Sequence, residues 1–265
     1  MRLRNTWVGL LGIALATTLA CGGSQETSST SAKPESPSAA SAGQKVDTAT
    51  AGDVKGVVMI DGVAPKNEAI KMNADPVCVK QNTTPQSQET YMVSADGKNL
   101  GNVFVYVKDG LGNRAFDTPK DPVALEQKSC RYHPHVLGVM TGQTVDIKNG
   151  DPTTHNIHPT PKDNREWNES QPPSSADIQK NFAREEIMLP VKCNQHPWMK
   201  MYINVVKSPF YAVTDKDGKY EIKGLPPGDY TVAFVHEKLG EQDQKVTVAP
   251  KDTKTVDTSF KAGGE

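Results

Sequence analysis

Aromatic side chains are scarce in this sequence: Phe, Trp and Tyr together make up 6% of 265 residues. Excess charge is absent, with 30 Lys and Arg against 31 Asp and Glu. That balance, with no block of basic residues, excludes a nucleic-acid footprint. Histidine is limited to six scattered positions and cysteine to four. No catalytic constellation stands out among them, so the chain is not expected to be an enzyme. Gly (21) and Pro (19) are plentiful instead. They favour many short strands and turns over long helices. The length leaves room for one or two domains.

The N-terminus reads as an address. Met1 to Arg4 form a small basic region, followed by "TWVGLLGIALATTLA" and Cys21. The apolar run is short for a membrane span and has signal-peptide length, so residues 1–20 are expected to be a signal peptide. The small residues before Cys21 resemble a bacterial lipobox, although Thr18 stands where Leu is commonest. That resemblance implies a lipid on Cys21. It places the protein on the periplasmic side of the cell envelope, held to a membrane by its N-terminus. Residues 21–53 are rich in Ser, Ala, Gly, Thr and Pro with almost no large apolar side chains. Such a segment cannot bury enough surface to offset its ordering entropy, and it reads as a tether. Folded structure is expected from about Val54.

From there the pattern is β. "VKGVVMIDG" closes on an Asp-Gly turn, and "NVFVYVKDG" alternates Val103, Val105 and Val107 against Phe104 and Tyr106. Further runs are "HVLGVMTGQTVDIKNGD", "KMYINVVKS", "YAVTDKDGKYEIKGLPPGDYTVAFVHE", "QKVTVAP" and "KTVDTSF". Period-2 alternation bounded by Gly, Pro, Asn or Asp predicts an all-β protein of one or two sandwiches. Residues 160–177 read as a long polar loop. The stretch "ADIQKNFAREEIMLP" could start as a short helix, capped by Ser174 or Ser175, or be strand throughout; strand from about Ile187 is the favoured reading.

Cysteine and histidine usage points to a metal. If Cys21 carries lipid, three cysteines remain, an odd number for an exported protein. The segment "VKCNQHPWMKMYINVV" crowds Cys193, His196, Met199 and Met201 ahead of a strand. Thiolate, thioether and imidazole together suit copper, although zinc also accepts Cys and His. With Cys193 reserved for the metal, Cys78 and Cys130 are left to form a disulfide; the rival pairing is Cys130 with Cys193. A second imidazole, His155, stands in "NGDPTTHNIH". His133, His135, His158 and His236 are read as structural residues.

Three local patterns resemble the cupredoxin family of blue copper proteins. "YHPHVLGVMTGQTVDIKN" is similar to its strand, Gly turn and strand ending in Asn, with Gly142 and Asn149 in place. "HNI" is similar to its His-Asn-Val, and "KCNQHPWMKM" to its Cys-x-x-His ligand loop ending in Met. The resemblance covers about residues 120–207. It implies a Greek-key sandwich holding one type 1 copper through His155, Cys193 and His196, with Asn156 tying the ligand loops together. Met199 is the first choice as axial ligand and Met201 the alternative. It further implies a carrier of single electrons between redox protein partners, with Pro197 and Trp198 as an apolar rim for docking. Copper storage or delivery, or a structural or adhesive role, are the other readings.

"TDKDGKYEIKGLPPGDYTV" is similar to the strand–turn–strand signature of the prealbumin-like regulatory domain of carboxypeptidases. Few residues follow it, and "KGVVMIDGVAP" with "NVFVYVKDG" look like its missing opening strands. The expected organisation is therefore a cupredoxin-like domain at 113–207, inserted in a prealbumin-like domain made of 54–112 and 208–261.

Overall fold

A computed structural model of the chain describes residues 46–263. The expected signal peptide, Cys21 and all of the tether before Val46 lie outside the described residues. Among the described residues no helix is long and apolar enough to cross a membrane.

The architecture is all-β. The chain enters β1 (Gly52–Asp61), then passes β2 (Ala69–Ile70), helix α1 (Pro76–Gln81), β3 (Gln86–Ser87) and β4 (Phe104–Asp109). Next come β5 (Val123–Lys128), β6 (Arg131–His133), β7 (Val136–Met140), β8 (Val145–Asn149), β9 (His155–Pro159), β10 (Glu169–Gln171), β11 (Ile178–Lys180), β12 (Glu186–Lys192) and β13 (Lys200–Val206). The chain closes with β14 (Tyr211–Val213), β15 (Lys219–Leu225), β16 (Gly228–His236), β17 (Gly240–Val248), β18 (Thr253–Thr255) and β19 (Thr258–Lys261).

Two pairs of sheets each enclose a core. In the first, the sheet β10-β9-β12-β13-β7 faces β11-β8-β5-β6. Leu125, Ile147, Ile157, Leu189 and Ile203 fill the space between them. In the second, β15-β1-β18, with β19 also on β1, faces β14-β4-β16-β17. Val54, Val105, Ile222, Val232 and Phe260 are buried there. Strands β1 and β4 and those after 208 thus share the second pair of sheets, those from 123 to 206 build the first, and β2 and β3 pair with each other.

The alternation in β4 explains how the pairs meet. Val105 and Val107 point into the second core, while Phe104 packs outward against Val136 and Val206. Gly138 leaves room at this seam. A Cβ there would lie 2.3 Å from a ring carbon of Tyr211 and 3.0 Å from Phe104.

Three expectations need correction. Ordered chain begins before Val54. Val46 packs against the second core, and Lys251 donates its backbone N–H to the Thr50 carbonyl at 3.2 Å. The stretch 54–112 does not serve the second sandwich alone. Ile70, Met72 and Cys78 belong with the first core, because a disulfide joins Cys78 to Cys130. The stretch 160–177 is not loop throughout, since β10 (Glu169–Gln171) lies within it; the stretch after it follows the favoured strand reading, with β11 and β12. The short helix α1 was not foreseen. Its start is nonetheless local: Asp75 caps it by accepting the N–H groups of Val77 (2.7 Å) and Cys78 (3.3 Å), and Pro76 takes the first helical turn.

Candidate metal centre

Strand pairing delivers the ligands. His155 opens β9, opposite Gln171 of β10, and β9 also pairs with β12. Cys193 directly follows β12. His196 lies in the turn to β13, which is closed by Met199 N–H to His196 O (2.8 Å) and Cys193 N–H to Met199 O (3.2 Å). One ligand atom each from His155, Cys193 and His196 lies within 4.8 Å of the others. All three residues are buried. Asn156 binds the loops together: its Oδ1 accepts the Asn194 N–H at 2.7 Å and stands 3.2 Å from Cys193 Sγ. Tyr132 donates its hydroxyl to the Asn156 carbonyl at 2.6 Å.

The orientation of the rings decides what the site can hold. His155 Nε2 lies 2.8 Å from Asp151 Oδ2, and His196 Nε2 lies 3.0 Å from Asp75 Oδ2. A carboxylate only accepts, so both Nε2 atoms carry a proton. Both Nδ1 lone pairs then face inward, 2.9 Å apart, beside the sulfur, which is 3.7 Å from His196 Nδ1. Two lone pairs at that distance repel unless a proton or a cation lies between them. The donor set of two neutral imidazoles and one thiolate fits a soft cation.

Electrostatics favour the thiolate, and a positive charge, proton or cation, beside it. Burial works against ionisation of Cys193, but hydrogen bonds from His155 and His196 outweigh it and bring the thiol down to about 6. Burial also opposes protonation of both histidines. For His155 the Asp151 carboxylate and the sulfur prevail, and for His196 the sulfur and Asp75; both are raised. Asp75 is held down at about 2: burial opposes this, and the His196 hydrogen bond leads the groups that outweigh it.

Sequence reasoning missed Asp75 and Asp151. The turn "NGDP" before His155 was legible, but not that Asp151 within it would meet that ring, and nothing marked Asp75. The Trp198 rim is corrected. Trp198 is 8% exposed; its ring packs 5.0 Å from that of His196, and its Nε1–H donates to the Cys130 carbonyl at 3.0 Å. Gln88 covers its backbone by donating to the Trp198 carbonyl at 3.0 Å. Of the two proposed rim residues only Pro197 is exposed. Met199 and Met201 are both buried against the first core. Cys193 is a free thiol. His158 reaches Glu166 at 2.6 Å, His133 lies near the Lys128 carbonyl at 3.2 Å, and His135 and His236 sit near the seam of the sandwiches.

Residues 197–261 match the family model of the carboxypeptidase regulatory-like domain. The regulatory-like match starts one residue after His196 and runs through β13 into the second sandwich. A search of curated proteins finds no match. Among solved structures, a copper-containing nitrite reductase from Thermus scotoductus is similar over 37% of this chain and 25% of its own, at 19% identity and a TM-score of 0.31. The chain thus spans about a quarter of that enzyme's length. A purple cupredoxin from Nitrosopumilus maritimus is similar over 31% of this chain and 98% of its own, at 20% identity and a TM-score of 0.27. An amicyanin variant with Cu(I) is similar over 39% and 98%, at 16% identity and a TM-score of 0.28. The chemistry of the site therefore rests on its own residues.

Proposed function

We propose that this chain is an exported, lipid-anchored carrier of single electrons built around one type 1 copper ion. His155, Cys193 and His196 hold the ion, with Met199 the first choice and Met201 the alternative for a weak fourth position. In this reading the metal-bearing sandwich, about residues 113–207, is inserted in the regulatory-like domain. The lipid on Cys21 keeps the protein at the periplasmic face of a membrane, within reach of redox protein partners.

The observation that carries the reading is the convergence of two inward Nδ1 atoms on a buried, readily ionised sulfur. Bound copper would supply a one-electron couple between Cu(I) and Cu(II). The chain's part is to exclude water and hold the donors still. Burial of all three ligands does the first, and the carboxylates on both rings with Asn156 on the loop do the second. A donor set fixed in this way cannot rearrange far when the charge changes. The same burial favours a resident ion over one stored or handed on.

Absorption and EPR spectra of the copper-loaded protein test this directly. An intense thiolate-to-copper band, a reversible potential and loss of both in Cys193→Ser are expected. A protein that stays colourless with Cu(II) would leave the structural or adhesive reading. A coloured protein with no reversible potential would leave storage or delivery, and preference for zinc would displace copper.

A further inference from the structure

The two carboxylates that orient the imidazoles have a common anchor. Asp75 accepts the backbone N–H of Cys78 at 3.3 Å, and Asp151 accepts the backbone N–H of Cys130 at 2.7 Å. Cys78 and Cys130 are the partners of the disulfide. The chain of contacts is therefore closed. It runs from His196 to Asp75, to Cys78, across the sulfurs to Cys130, to Asp151 and to His155. Ligand atoms of Asp75, Cys78 and His196 lie within 4.8 Å of one another, and so do those of Cys130, Asp151 and His155. The two halves thus repeat one arrangement on either side of the metal ligands.

We propose that the Cys78–Cys130 disulfide is a working part of the metal centre: it clamps Asp75 and Asp151 as positioning residues, which hold both imidazoles with Nδ1 inward. The proposal rests on the metal-binding reading of His155, Cys193 and His196.

Two features show that the clamp is built. The first is the turn at Ser129 and Cys130, where both residues have positive φ, 51° and 54°. Residues other than glycine rarely hold that conformation unless their surroundings fix it. Asp151 holds the turn by accepting the N–H groups of Ser129 and Cys130, both at 2.7 Å, while its Oδ2 also takes His155. The second is the double duty of Asp75. Its Oδ1 caps α1, while its Oδ2 takes His196 and the Thr153 hydroxyl at 2.9 Å. Residues 75–82 reach the centre from far away in sequence, and the disulfide spans 52 residues to hold them there. Cutting it frees α1 to move off, taking Asp75 from His196 and releasing the Cys130 turn from above Asp151. Both rings would lose their fixed orientation together.

The full chain, metal-free, tests this through the ring-nitrogen NMR spectrum of its histidines. In the wild type both His155 and His196 are expected to be protonated at Nε2. In Asp75→Asn, which keeps a helix cap, only His196 is expected to change. In the Cys78→Ala, Cys130→Ala double variant both rings are expected to lose the fixed Nε2 proton. Cu(II) affinity of the double variant is expected to fall about 10–100-fold, the usual cost of losing the groups that orient metal ligands. Should the double variant fail to fold, reduction of the metal-free wild type is read by the same spectrum. Unchanged ring nitrogens after loss of the disulfide would overturn the clamp even where copper still binds. The metal reading fails separately if Cys193→Ser binds copper as the wild type does, and the ring spectra then still decide the clamp.

Discussion

His135 Nε2 lies 2.5 Å from Glu237 Oε1, joining the turn before β7 to the turn after β16 across the seam of the two sandwiches. Both side chains are almost fully covered, at 5% and 7% exposure. Burial opposes ionisation of Glu237, but His135 outweighs it and holds the carboxyl below its usual 4.5. Its neighbour His236 is lowered from 6.5, first by burial. His236 donates Nε2–H to the Thr90 carbonyl at 2.8 Å, and its Nδ1 accepts two backbone N–H groups at 3.2 Å. Both folded values lie below the unfolded ones. The unfolded chain therefore takes up the protons first, and the stability these groups contribute is lost as pH falls. For His236 that loss begins near pH 6.5, and for Glu237 near pH 4.5. The gap in urea midpoint between wild type and His236→Gln is expected to narrow from pH 7.5 to pH 5. A gap that stays constant would remove this account.

Asn156→Ala is expected to destabilise the metal-free protein by about 0.5–1.5 kcal/mol, because the part-buried Asn194 N–H then loses its acceptor. Chemical denaturation measures this. The Asn168 side chain, which accepts from Asn156 Nδ2 at 2.7 Å, loses its donor in the same variant.

Met199→Leu is expected to shift the reduction potential and the absorption band while leaving copper uptake in place. Met201→Leu is expected to leave both unchanged. The reason is placement: Met199 closes the ligand turn through hydrogen bonds with His196 and Cys193, whereas Met201 sits in β13 opposite Val191. Titration of copper into each variant, with voltammetry, separates them. The reverse pattern would assign Met201 instead.

Gly138→Ala is expected to cost about 1–3 kcal/mol by overpacking the seam between β7 and Tyr211. Thermal unfolding of the full chain checks it. Tyr211→Phe, which gives up only a 3.3 Å hydrogen bond to the Gly138 carbonyl, should be milder. Equal losses in the two variants would mean that the close approach is not what limits the site.

Much of this molecule is written locally in its chain. Period-2 runs such as "NVFVYVKDG" and turn pairs such as Asp217-Gly218 declared strands and hairpins, because side-chain alternation and positive φ are properties of a few adjacent residues. The chemical types needed at the centre were equally plain at 193–199, since Cys, His and Met stand there together. What sequence alone left open was every relation between distant segments. That Asp75 would reach His196, that Trp198 would be covered by Gln88, and that Phe104 would turn from its own sandwich to the first have no neighbouring signature. An acceptor for a ring N–H can be any buried carboxylate, and only packing selects which one arrives. The strands and the donor types therefore belong to the sequence by itself, while tertiary structure decided the orientation of the rings and their closure from solvent.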